Sequence, residues 1–194
     1  MKNRILDLAT QQLLMGGYDK LNFAKIADKL NTTRANLHYH FKNKENLAKK
    51  VFVRYESGTI ALYSDLRDQF KGDYVGFFKE IESTFWDEPY LNREGGRYII
   101  IEIVSDADLP EPIAKMCREL YGNIQEIIRT VIQDGVDSHQ IKKKIDVNRE
   151  ATRALVIMVG MFTSGHYFRS NDKAKEMLNS LLLDWANSLK RPAK

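Results

Sequence analysis

Apolar residues in this chain recur at intervals of three and four, and nowhere do they alternate with polar ones for long enough to build a half-buried strand. The pattern predicts an all-α protein. In residues 2 to 16, Ile5, Leu6, Ala9, Leu13 and Leu14 form one stripe, and Gly16-Gly17 ends the helix. Asn22 is placed to cap a second helix, in which Phe23, Ile26, Ala27 and Leu30 share a face. A third starts at Thr33. Longer helices are predicted over roughly 44 to 70, 73 to 87, 94 to 104, 111 to 136, 147 to 169 and 172 to 190, nine in all. The breaks fall at Gly72, at EPYLNREGG, at DADLPEP, from Asp134-Gly135 through KKKID, and at Ser170-Asn171.

The second and third helices are short and nearly touch. Asn31 stands where the chain must turn, and Asn tolerates the left-handed conformation a tight turn demands. Thr33 then offers its hydroxyl to the next helix's amides. A turn of about three residues between short helices is the spacing that sets a second helix into the DNA major groove. At 100° per residue from an inward Leu37, Phe41 and Thr33 lie about 40° to either side, whereas Ala35 and Tyr39 point away. The outer surface therefore presents Arg34, Ala35, Asn36, His38 and Tyr39. Small Ala35 lets the backbone approach a base edge, Arg34 suits guanine or phosphate, Asn36 suits adenine, and Tyr39 suits phosphate or a thymine methyl. Asn22 and Lys25 on the second helix join these candidates. Lys44 opens the fourth helix, where free amides and an ammonium suit a phosphate. The ordinary alternative is a solvated face.

Charge strengthens the DNA reading. Residues 1 to 50 carry ten Lys/Arg against four Asp/Glu, and residues 51 to 194 carry twenty against twenty-two, so the overall +4 is a basic front (+6) attached to a mildly acidic remainder (−2). Cys117 is the single cysteine, which excludes an internal disulfide and fits a reducing cytoplasm. No signal-peptide core forms, and the most apolar run, ALVIMVGMF, is too short to span a bilayer, so no membrane association is expected. Enzyme motifs are absent: there is no phosphate-cradling Gly loop, nucleophile elbow or HExxH. His38 and His40, two apart, do not share a helix face for a metal. No catalytic residue, metal or cofactor is expected.

The stretch ILDLATQQLLMGGY followed by NFAKIADKLNTTRANLHYHFKNKENL resembles the DNA-binding domain of TetR/AcrR-family transcriptional regulators. The resemblance covers residues 4 to 48. It implies a nine-helix TetR-like fold, with a helix-turn-helix DNA-binding domain at 1–46 and a helical ligand-binding and dimerisation domain at 47–194. Against the family pattern, His38 stands for a usual Tyr, Asn31 for a Gly and Thr32 for an apolar residue. If His38 takes over that Tyr's contact, DNA affinity acquires a pH dependence; a neutral His making an ordinary hydrogen bond is the alternative. His40, on the inward side, suits packing or phosphate anchoring.

The resemblance further implies a homodimer through residues 147–190, where ALVIMVGMF is apolar nearly all round and Gly160 and Gly165 permit close helix approach. It implies an effector pocket among the middle helices, with Tyr55, Tyr63, Phe78, Phe85, Trp86, Tyr98, Tyr121 and Phe162 as candidate lining, although rings of this size also fill cores. An apolar or aromatic effector would release the protein from palindromic double-stranded operator DNA, making it a repressor. Two other classes remain open: a DNA-binding structural or interaction protein of the same fold without an inducer, and a helical carrier whose basic front is incidental.

Overall fold

The computed structural model describes residues 1–87, 109–168 and 172–192, apart from the side chains at 15, 84–87, 165–168, 172–175, 177 and 179. Eight α-helices lie among the described residues, and the helix expected at 94–104 falls outside them. They are α1 (Lys2–Gly16), α2 (Phe23–Lys29), α3 (Arg34–Phe41), α4 (Lys44–Gln69), α5 (Tyr74–Asp87), α6 (Glu111–Asp137), α7 (Val147–Phe168) and α8 (Asp172–Ser188). A 3₁₀ turn, Tyr18–Lys20, follows α1. Contacts divide the chain into one compact unit of Met1–Thr59 with Gly95–Leu120 and another of Ile60–Glu94 with Tyr121–Lys194.

In the first unit, Ile5, Ala9 and Leu13 of α1 are buried at successive turns, with Leu21, Phe23, Ile26, Ala27, Leu37 and Phe41 from the following short elements. Leu47, Ala48, Val51 and Phe52 of α4 are also buried. Arg54 of α4 donates to Asp7 Oδ1 at 2.8 Å and to Thr10 Oγ1 at 2.9 Å on α1. Ile113, Cys117 and Leu120 are the buried residues of the opening turns of α6.

In the second unit, α8 packs against α5 and α7. Phe78 meets Trp185 edge-on at 4.9 Å, the Tyr74 hydroxyl donates to the Ala186 carbonyl at 3.2 Å, and the Trp185 indole N–H donates to Glu150 Oε2 at 3.0 Å. Arg153 completes that group with a 2.7 Å bond to Glu150 Oε1. Burial, with help from Asp73, pushes the Tyr74 phenol up to about 12.

The Asp134-Gly135 pair does not break a helix. α6 continues to Asp137, and a Cβ on Gly135 would lie 2.7 Å from Ile141 Cδ1, so this glycine makes room for a buried side chain from the next loop. Ile141 then forms an isolated antiparallel bridge with Lys190. Exposed Lys142 donates from Nζ to the Ser188 carbonyl at 2.8 Å, which satisfies a carbonyl at the end of α8.

Candidate nucleic-acid interface

The helix-turn-helix is built by caps. Asn22 Oδ1 accepts the Lys25 amide at 3.2 Å to start α2, while the Asn22 amide donates to Gln12 Oε1 at 2.7 Å. Asn31 takes the expected left-handed turn at φ 49°, and the Thr32 amide folds back to the Ala27 carbonyl at 3.0 Å. Thr33 Oγ1 accepts the Asn36 amide at 3.2 Å, which starts α3 at Arg34. Lys42, with φ 62°, closes α3, and Asn43 Oδ1 accepts the Asn46 amide at 2.8 Å to open α4.

Leu37 and Phe41 are buried, and the opposite surface of α3 is bare. Tyr39 is 83% exposed, and Arg34, Ala35 and His38 are exposed with it. This is the face expected from helical rotation. Asn22, Lys25 and Thr33 are also exposed; Asn36 is half-buried, its side-chain Nδ2 donating to Thr32 Oγ1 at 2.9 Å. His38 Nδ1 donates to the Lys42 carbonyl at 2.8 Å, and its ring lies 4.8 Å from that of Phe23. His40 is half-buried between the rings of Tyr39 and Phe41.

Lys44 Nζ lies 4.2 Å from the centre of the Tyr18 ring and 3.7 Å from Asp19 Oδ1. The side chain is thus held at the start of α4 by a cation–π contact and an exposed ion pair, both weak enough to yield to a phosphate. Thr32, Phe23, Tyr18 and Asn43 were not among the expected site residues. Thr32, Phe23 and Tyr18 each touch a residue that was, and Asn43 caps the helix that Lys44 opens; among them only Asn43, a capping type at a helix start, carried a signal in its residue type.

Residues 5–51 match the family model for bacterial regulatory proteins, tetR family. That segment is similar to the DNA-binding part of TetR-family proteins, and the findings together support a TetR/AcrR-family regulator. It is 24% identical to the HTH-type transcriptional regulator AcrR of Shigella flexneri over 172 residues, 82% of this chain and 73% of that protein. Its fold is similar to that of E. coli NemR in the reduced form, with a TM-score of 0.85 at 14% identity over 100% of this chain and 98% of that one. It is also similar to FadR from Bacillus subtilis in complex with stearoyl-CoA, with a TM-score of 0.72 at 17% identity over 95% and 99% of the two chains. The findings support a DNA-binding transcriptional regulator of the TetR type, a family of regulators rather than enzymes. The matched segment contains α2, α3 and the start of α4, the elements that carry every candidate DNA contact named above.

The candidate effector rings are dispersed. Tyr55 lies in the first unit and is half-buried, whereas in the second Tyr63 and Phe78 are buried and Tyr121 and Phe162 half-buried. Tyr98, the side chains of Phe85 and Trp86, and the surroundings of Gly165 lie outside the described residues. A cleft of about 500 Å³ in the second unit, lined by Asp73, Tyr74, Val75, His139, Gln140, Lys190, Arg191 and Pro192, takes in none of these rings.

Proposed function

We propose that the chain is a homodimeric, cytoplasmic repressor that reads a palindromic operator with α3 and releases it when a small apolar or aromatic molecule binds the larger helical region. The observation that carries this reading is the bare outer face of α3, with Tyr39 83% exposed while Leu37 behind it is fully buried. Arg34, Asn36, His38 and Tyr39 face base edges or phosphate, Ala35 permits close approach, and Thr33, Asn22, Lys25 and Lys44 hold the flanking backbone. Residues 1–46 form the DNA-binding domain and 47–194 the ligand-binding and dimerisation domain.

Two large apolar side chains left in water support dimerisation through 147–190: Val156 of α7 is 64% exposed and Leu181 of α8 is 47% exposed. A Cβ on Gly160 would meet nothing within 4 Å in the monomer, which leaves that helix face open to a second copy. Two-fold symmetry sets the recognition helices at half-sites about 34–36 Å apart. Half-buried Tyr121 and Phe162 are the favoured effector contacts, and the stearoyl-CoA held by FadR, a fold neighbour, supports an apolar ligand. An effector that fits the splayed arrangement better, by ~1–3 kcal/mol, would weaken DNA binding roughly 5- to 150-fold. No described helix is long and apolar enough to cross a membrane. The reading includes no catalytic centre, metal or cofactor.

The test is a chain carrying Arg34→Ala and Tyr39→Ala together, compared with wild type for binding duplex DNA at one salt concentration. A loss of at least about tenfold with an unchanged melting curve is expected, since both side chains are exposed and each base or phosphate contact is worth ~1–3 kcal/mol. Equal affinity contradicts the assignment.

A further inference from the structure

The free nitrogen of His38 is determined by what the other nitrogen touches. Its Nδ1 lies 2.8 Å from the Lys42 carbonyl oxygen, a group that can only accept, so Nδ1 carries a hydrogen whether the ring is neutral or charged. The Lys42 amide in turn donates to the His38 carbonyl at 2.7 Å, so the two residues are bonded in both directions at the end of α3. The Phe23 ring, 4.8 Å away and tilted by 51°, fixes the imidazole from the side of α2. Rotating the ring by half a turn would replace the bond to Lys42 with a carbon.

A neutral imidazole held this way has one N–H, and it is already used. Nε2 then offers only a lone pair. Phosphate oxygens also offer only lone pairs, so the neutral ring has nothing to give the DNA backbone. A second proton turns Nε2 into a charged donor, the kind that makes the strong hydrogen bonds to phosphate.

The surroundings of the free protein do not supply the balancing charge. The charged neighbours on its own element are Arg34 and Lys42; α2 carries Lys25, Asp28 and Lys29; α4 opens with Lys44 and Glu45. Among the described residues none of these forms an ion pair with His38, Lys44 faces Asp19, Glu45 faces Lys49, and Asp7 of α1 faces Arg54. DNA brings the missing anion. We infer that His38 takes up a proton as α3 seats on the duplex, so that binding tightens as pH falls through the range in which imidazoles titrate. This rests on the reading of α3 as the DNA-contacting helix.

The experiment measures the affinity of the full chain for a duplex recovered by selection, at about pH 6, 7 and 8 and fixed salt, because phosphate contacts make affinity salt-dependent. One proton taken up per recognition helix corresponds to as much as about tenfold in affinity per pH unit for each helix, or about a hundredfold for a dimer seated on two half-sites. The slope is expected in wild type, absent in His38→Gln and retained in His40→Gln. A flat wild-type profile, a slope of opposite sign or an undiminished slope in His38→Gln overturns the inference. Nitrogen NMR of the wild-type imidazole is the second readout: in the free neutral chain the hydrogen is expected on Nδ1, and on adding the duplex the ring should hold its second proton to higher pH. A hydrogen on Nε2 of the free neutral ring, or an unmoved titration, also overturns it. Tight binding at every pH removes only this inference, whereas a chain that retains no DNA at any pH removes the regulator reading as well.

Discussion

The side-chain amide of Asn36 donates to the hydroxyl oxygen of Thr32, one turn back and just outside α3, at 2.9 Å. One Nδ2 hydrogen is committed by this bond, leaving Oδ1 and the second hydrogen for an adenine edge. Thr32→Val keeps the shape and removes the acceptor. The expected result is a loss of up to about fivefold in discrimination at one base pair per half-site, the worth of one ordinary hydrogen bond. Competition with duplexes altered at single positions measures it, and an unchanged preference profile counts against the orienting role.

Val156 and Leu181 stand in water on the last two helices of the monomer. Replacing either by Asp costs little in an isolated chain but places an unpaired charge in an apolar contact between copies. Both variants should sediment as monomers at concentrations where wild type is dimeric, with unchanged helical content. A wild type that is monomeric, or variants that remain dimers, would exclude this face.

Glu82 is buried on α5 and accepts the Leu183 amide at 3.1 Å. Burial pushes its carboxyl above the ordinary range; hydrogen bonds from the Leu183 and Leu182 amides oppose the shift and the Asp184 carboxylate adds to it. The folded chain therefore holds this proton to a higher pH than the unfolded chain does. Its contribution to stability is complete below the unfolded carboxyl's pKa and is lost as pH rises through the folded value. Urea unfolding from about pH 4 to 8 should show wild type losing stability relative to Glu82→Gln as pH rises. Parallel curves would mean that Glu82 does not titrate differently in the two states.

Cys117 is buried in α6, and burial pushes its thiol up to about 12, with Arg118 pulling it down and Glu56 adding to the rise. The reactive thiolate is thus scarce at neutral pH. Alkylation of the native chain by iodoacetamide should be at least ~100-fold slower than in urea, because both access and ionisation are restricted. Comparable rates would contradict a buried, protonated Cys117.

The recognition helix was legible because its determinants are local. A capping Thr33, a turn residue at Asn31 and the 100° rotation about Leu37 are all written within a dozen positions, and they give the exposed set at Arg34, Ala35, His38 and Tyr39 directly. What escaped notice depends on partners distant in sequence or on atom-level geometry. Gly135 reads as a breaker until Ile141 is seen lying against it, and the bond from exposed Lys142 to the Ser188 carbonyl joins residues too far apart in sequence to be foreseen. Likewise the bond of Lys42 to His38 and the Phe23 ring beside it decide which imidazole nitrogen is free, although the spacing of these residues contains no such information. The aromatic residues of the middle helices carry no sign of whether they border a cavity, since a ring fills a core and lines a pocket by the same physics.

Selection of bound duplexes from a random pool is the most direct check on α3 as a reader of DNA. The recovered sequences should share a two-fold symmetric motif whose half-sites are centred one helical turn apart, or a multiple of it, and the chain with Arg34→Ala and Tyr39→Ala should fail to enrich it. A pool that yields no motif, or a chain that holds scrambled duplex as firmly as the selected one, would contradict the account.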